Sequence, residues 1–98
     1  MLSQILQQNP NDAFARYGLA MEHVAQGNVA QGLDEFNKLI ELNPDYVPAY
    51  QMSAQTLAAQ NRSDEALARL DAGIATAERT GNAHALAEMS ALRDDLRA

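Results

Sequence analysis

Apolar residues recur at helical spacing along nearly the whole chain, and short polar breaks divide them into six segments. Leu2, Ile5 and Leu6 form a short first stripe. Asn9-Pro10 ends it, because the residue before a proline is pushed out of the α region. Phe14, Tyr17, Met21 and Val24 follow at i, i+3, i+7 and i+10, and then Val29, Leu33, Phe36 and Ile40 carry the next face. Beyond Asn43-Pro44, Tyr50, Ala54, Leu57 and Ala58 line a third long segment. Ala66, Leu67, Leu70, Ile74 and Ala77 line a fourth, and Leu86, Met89, Leu92 and Leu96 a last one. No stretch alternates with the period of two that a half-buried strand requires. The pattern predicts an all-α chain.

The breaks carry helix-end chemistry. Asn11 or Asp12 is placed to cap the second segment, and Asp45 the fourth, with Pro48 in a first turn where a missing N–H costs little. Gly27 supplies the left-handed residue past a helix end, and Asn28 followed by Gln31 has capping-box spacing. Gln60-Asn61-Arg62 and Thr80-Gly81-Asn82 are the later breaks. Asp64 and Glu65 fall in a first turn, where negative charge suits the helix dipole.

These segments repeat. Asn9-Pro10-Asn11-Asp12 and Asn43-Pro44-Asp45-Tyr46 are offset by 34 residues, the step from Pro10 to Pro44. In that register Ala15 meets Ala49, Ala20 meets Ala54, Leu33 meets Leu67 and Ile40 meets Ile74. A period in this range marks stacked supersecondary units that bury their apolar faces against one another.

The period and its small and bulky positions resemble the tetratricopeptide repeat, a 34-residue helix–turn–helix unit. Counted from Ala13, its positions fall on Leu19-Ala20, His23, the turn glycine Gly27, Gly32, Phe36 and the closing Pro44. Counted from Val47, they fall on Tyr50, Ala54, Leu57, Ala66, Leu70 and Gly73. Three positions depart: Arg16 stands where a bulky aromatic is common, Leu39 fills a small-residue slot, and Glu78 replaces a closing proline. The last departure predicts a second helix of repeat two that runs on toward Gly81. The resemblance, to a small two-repeat member of bacterial type, covers roughly residues 10–80. It implies one domain over residues 1–98 with the α-α superhelix of that family. Two antiparallel helix pairs (repeats about 10–43 and 44–80) would follow a short N-terminal helix, with a C-terminal capping helix at about 82–97.

The resemblance also implies a function: a protein–protein interaction scaffold or adaptor that holds a peptide or helix of a partner in a concave groove. Carried over position by position, the groove residues are Phe14, Tyr17, Gly18, Met21 and Val24, then Gln51, Met52, Gln55 and Ala59, with Ala85, Leu86, Met89 and Arg93 from the last helix. Met-rich apolar surface with a few amides suits an amphipathic or extended peptide. Phe14, Met21 and Met89 are equally readable as core in so small a chain. Family members that grip acidic chaperone tails use Lys, Asn and Arg on this face. Tyr17, Met21, Pro48 and Met52 hold the matching positions here and cannot supply that clamp. The competing reading is a self-associating structural or chaperone-like homodimer, since two full repeats fall below the usual minimum of about three.

Composition narrows the field further. The formal charge of −6 and seven scattered Lys and Arg argue against nucleic acid, which needs clustered cations. Cysteine is absent, no apolar run approaches the ~20 residues of a membrane helix, and no signal-peptide pattern opens the chain, so a cytoplasmic setting is the expectation. His84 and Glu88 share a helix face, but two ligands do not close a metal site. Asp34-Glu35 and Asp94-Asp95 are neighbours that point apart on a helix. No nucleophile elbow or phosphate loop occurs, so neither an enzyme nor a cofactor is expected.

Overall fold

A computed structural model describes residues 2–98, leaving Met1 outside the described residues. Among them are six α-helices and no strand: α1 (Leu2–Gln8), α2 (Ala13–Ala25), α3 (Val29–Leu42), α4 (Val47–Ala59), α5 (Ser63–Thr80) and α6 (Ala83–Arg97). They pack as helical pairs, α2 with α3 and α4 with α5, while α1 lies on α2 and α6 on α5 and α4. The chain divides into two compact units, the first ending at Tyr46 and the second starting at Val47. None of these helices is long and apolar enough to cross a membrane.

Of the expected helix caps, the one at Asp12 forms and the one at Asn28 does not. Asp12 caps α2, its Oδ1 accepting from the Ala15 N–H at 2.9 Å, and Asn82 caps α6 through the Ala85 N–H at 3.1 Å. Asn28 was expected to cap α3, yet its side chain makes no capping hydrogen bond. Its backbone is committed instead: its N–H donates to the His23 carbonyl at 2.8 Å and its carbonyl accepts from Gly32 at 3.0 Å. Gly27 and Gly81 adopt φ of +85° and +76° past α2 and α5, as the left-handed residue of a helix end requires. Asn61, 34 residues after Gly27, holds the same conformation at φ +59° in the second unit. With no proline at Glu78, α5 runs 18 residues to Thr80, against 14 for α3.

In the first unit, the core is built from Ala15, Ala20, Leu33, Phe36 and Leu39. Gly32 is the closest approach of the pair. A Cβ there would stand 2.5 Å from the Val24 Cγ2 and 3.0 Å from the Ala20 carbonyl oxygen. In the second unit Tyr50, Ala54, Leu57, Ala66, Leu70, Ile74 and Met89 are buried, and Gly73 lets three helices meet. A Cβ on Gly73 would lie 2.7 Å from both the Met89 sulfur and the Tyr50 Cβ. Buried hydroxyls close onto their own helix, Ser53 donating to the Tyr50 carbonyl and Thr56 to that of Met52.

Candidate functional site

The apolar stripe of α2 is not the helix's buried face: Phe14 is exposed and Tyr17, Met21 and Val24 are half-buried. Small residues take that side, because Ala15, Ala20 and Gly32 let α2 and α3 approach closely. The stripe is left between α1 and the chain at Tyr46. Phe14, at its start, is 77% exposed, the most exposed large apolar side chain among the described residues. Tyr17, one turn on, is half-buried: its ring lies 6.0 Å from Phe36 at an edge-on 61° and 5.7 Å from Tyr46 at 55°. Met21 is half-buried on the same side. Leu2 of α1 covers Gly18, its Cδ1 3.2 Å from where a Cβ would stand. Val24 turns toward Gly32 and so serves the α2–α3 seam more than an outer face.

Tyr46 was not among the sequence-predicted site residues. Its register partner is Asp12, so the repeat gave no sign of an aromatic there. Burial raises the phenol pKa of Tyr46, and the nearby Asp12 carboxylate raises it further. Tyr17 is raised for the same first reason, with Tyr46 adding to it. Both phenols stay neutral well past physiological pH.

In the second unit Gln51 and Met52 are half-buried on α4 and Gln55 is exposed. Met89 is fully buried, taking the core alternative: its sulfur fills the space over Gly73 that a side chain would otherwise need. It has no surface to offer a ligand. Arg93 is held toward α5, its Nη1 3.5 Å from the Asp71 Oδ1, with Arg97 3.9 Å from the same oxygen. His84 and Glu88 form an exposed pair 3.0 Å apart, and among the described residues no group of three His, Cys, Asp or Glu could hold a metal ion.

Residues 23–89, more than half of the chain, match the tetratricopeptide repeat family. The chain belongs to the tetratricopeptide repeat family. Its fold is similar to the solution structure of a tetratricopeptide repeat domain protein from Salinibacter ruber, at 32% identity over 90% of this chain and 89% of that one, with a TM-score of 0.85. A crystal structure of the tetratricopeptide repeat domain protein from Salinibacter ruber matches at 31% identity over 89% and 98%, TM-score 0.82. The TPR2B domain of yeast Sti1, solved in complex with pHsp70, overlays at TM-score 0.90 across 98% of this chain and 77% of that one. At 23% identity it shows likeness of fold alone. No curated protein matches the sequence.

Tetratricopeptide repeats are in general protein-interaction modules and typically not enzymes. In this tetratricopeptide repeat chain the departure at Arg16 has a structural answer. The side chain is buried, donates to Glu35 at 2.6 Å and to the Pro10 carbonyl at 3.0 Å, and so ties α3 and the α1–α2 loop to α2. Charge-assisted hydrogen bonds there do what an aromatic ring does by packing.

Proposed function

We propose that this tetratricopeptide repeat chain is an adaptor that binds a peptide or helix of a partner protein, with α2 carrying the contact residues of the first unit and α4 those of the second. The observation that carries the reading is Phe14. A phenylalanine 77% exposed, one turn before the half-buried Tyr17, buries little for folding, whereas alanines hold the core side of the same helix. Large apolar side chains cost solubility unless something covers them. Phe14, Tyr17 and Met21 are the contact residues of the first unit, and Gln51, Met52 and Gln55 those of the second. Half-buried methionines adapt to varied apolar partners.

Affinity capture of partners, followed by mapping of perturbed amides on the labelled chain, tests this. Capture is expected to fail after Phe14→Ala and after Tyr17→Ala combined with Met52→Ala, with the helical content of each variant unchanged. Capture that survives both changes would place binding elsewhere. An acidic chaperone-type tail peptide is expected not to bind.

A further inference from the structure

We infer that α1 is a strap: it closes part of the α2 face in the free chain and is displaced when a partner segment binds there. This rests on the reading of α2 as a binding face and adds how access to that face is set. Gly18 is the point of contact. It follows Phe14 by four residues and precedes Met21 by three, so the three share one side of α2. A glycine in mid-helix is less stable than an alanine, and here it leaves a notch between two large apolar side chains. Leu2 of α1 fills it, with its Cδ1 3.2 Å and its Cδ2 3.5 Å from where a Cβ would stand. A leucine set into the gap of an apolar stripe is also what an amphipathic partner helix presents to a groove.

The strap is weakly held. None of the residues of α1 is buried: Leu2 and Leu6 are half-buried, and Ile5 is 38% exposed. Isolated helices shorter than about 12–15 residues are marginal in water, so α1, with seven, keeps its shape only while docked. Its tether, by contrast, is fixed. The Arg16 Nη2 donates to the Pro10 carbonyl at 3.0 Å and the Asp12 N–H to the Asn9 carbonyl at 3.1 Å, which pins the linker at the head of α2. Beyond that pin, the Asn9 N–H donates to the Ile5 carbonyl at 2.8 Å, and α1 begins. Among the described residues of the first unit, every buried apolar side chain belongs to α2 or α3, so releasing α1 empties no core position. Such an opening is local and lies at the low end of the stability range. A partner that takes the notch must first displace Leu2, and its apparent affinity falls with the fraction of chains that are open.

The test uses the intact chain and a labelled amphipathic peptide of about 15 residues, with leucines along one side and glutamines along the other. Leu2→Ser removes the plug. Gln4→Gly with Gln7→Gly weakens the α1 helix at two exposed positions and leaves its apolar residues in place. Fluorescence anisotropy is expected to show both variants binding the peptide at least about threefold tighter than the unaltered chain, and Gln4→Ala with Gln7→Ala binding it more weakly. Amide exchange over residues 2–8 should speed up in the complex while α3 stays protected. Equal affinity across these chains, with α1 as protected in the complex as in the free chain and Phe14→Ala still weakening binding, would overturn the strap and leave the α2 face standing. Weaker binding by Leu2→Ser and by the glycine variant would also overturn it, making α1 part of the binding surface. A peptide that binds none of the chains, or binds all of them regardless of Phe14→Ala, would overturn both readings.

Discussion

The two units share one 34-residue plan and complete it by different means. At the slot after the helix start, the second unit buries Tyr50, while the first buries Arg16 and neutralises it with Glu35. Small residues also sit at different points. Gly32 lets α2 and α3 close on each other, whereas Gly73 admits Tyr50 and Met89 into one contact, with Leu39 standing at the register position of Gly73 in the first unit. The second unit thus closes its apolar faces with a long α5 and α6. In the first, seven residues of α1 cover only part of α2, and Phe14 stays in water.

Breaking the core should give the largest effect. Phe36 is fully buried against Tyr17, so Phe36→Ala is expected to cost about 3–5 kcal/mol in urea unfolding, enough to unfold most chains of this size. Gly73→Ala should cost about 1–3 kcal/mol, because the Tyr50 Cβ cannot swing away even if the Met89 thioether does. Gly32→Ala should lose a similar amount through the Ala20 carbonyl and Val24. If both alanines stabilise, the close approaches are wrong.

Arg16→Ala comes next. It leaves Glu35 without its partner in a part-buried site and should cost about 1–3 kcal/mol, with a double-mutant cycle to Glu35→Ala returning a favourable coupling.

A smaller effect is set by pH. The folded pKa values of Tyr17 and Tyr46 are raised, so their contribution is fully present below the unfolded phenol value and is lost as pH climbs through the folded ones. The urea midpoint should therefore fall as pH rises above about 10, the unfolded phenol value, and fall less in Tyr17→Phe. The smallest effect on folding belongs to Phe14→Ala, within about 0.5 kcal/mol, the same change in residue type as Phe36→Ala with none of its consequence.

Much of this fold was legible beforehand because proline, glycine and asparagine punctuate the chain at a fixed period. The extension of α5 followed from Glu78 standing where a proline would have stopped it. The faces of α3, α4 and α5 were legible, since Leu33 and Phe36, Ala54 and Leu57, and Leu70 and Ile74 are buried as their spacing predicts, but the direction of the α2 face was not. Phe14, Tyr17, Met21 and Val24 have ideal spacing for a buried stripe, yet Ala15 and Ala20 are the fully buried residues while the stripe is half-buried or, at Phe14, exposed, because close helix approach selects small side chains and periodicity weighs size the other way. Met89 and Phe14 were equally ambiguous and fell on opposite sides. What separates them is tertiary: Met89 has Gly73 opposite, and Phe14 has nothing over it. The Arg16–Glu35 pair and the Tyr17–Tyr46 contact span 19 and 29 residues respectively, beyond any local pattern.

The account turns on the outer face of α2 being a place where another protein binds. Titrating an amphipathic helical peptide into the isotope-labelled chain and following its amides tests that most directly. Shifts should concentrate on Phe14, Tyr17, Met21 and Tyr46, leaving α5 and the buried Met89 unmoved. Shifts centred on α5 or α6, with Phe14 and Tyr17 unchanged at saturation, would contradict it.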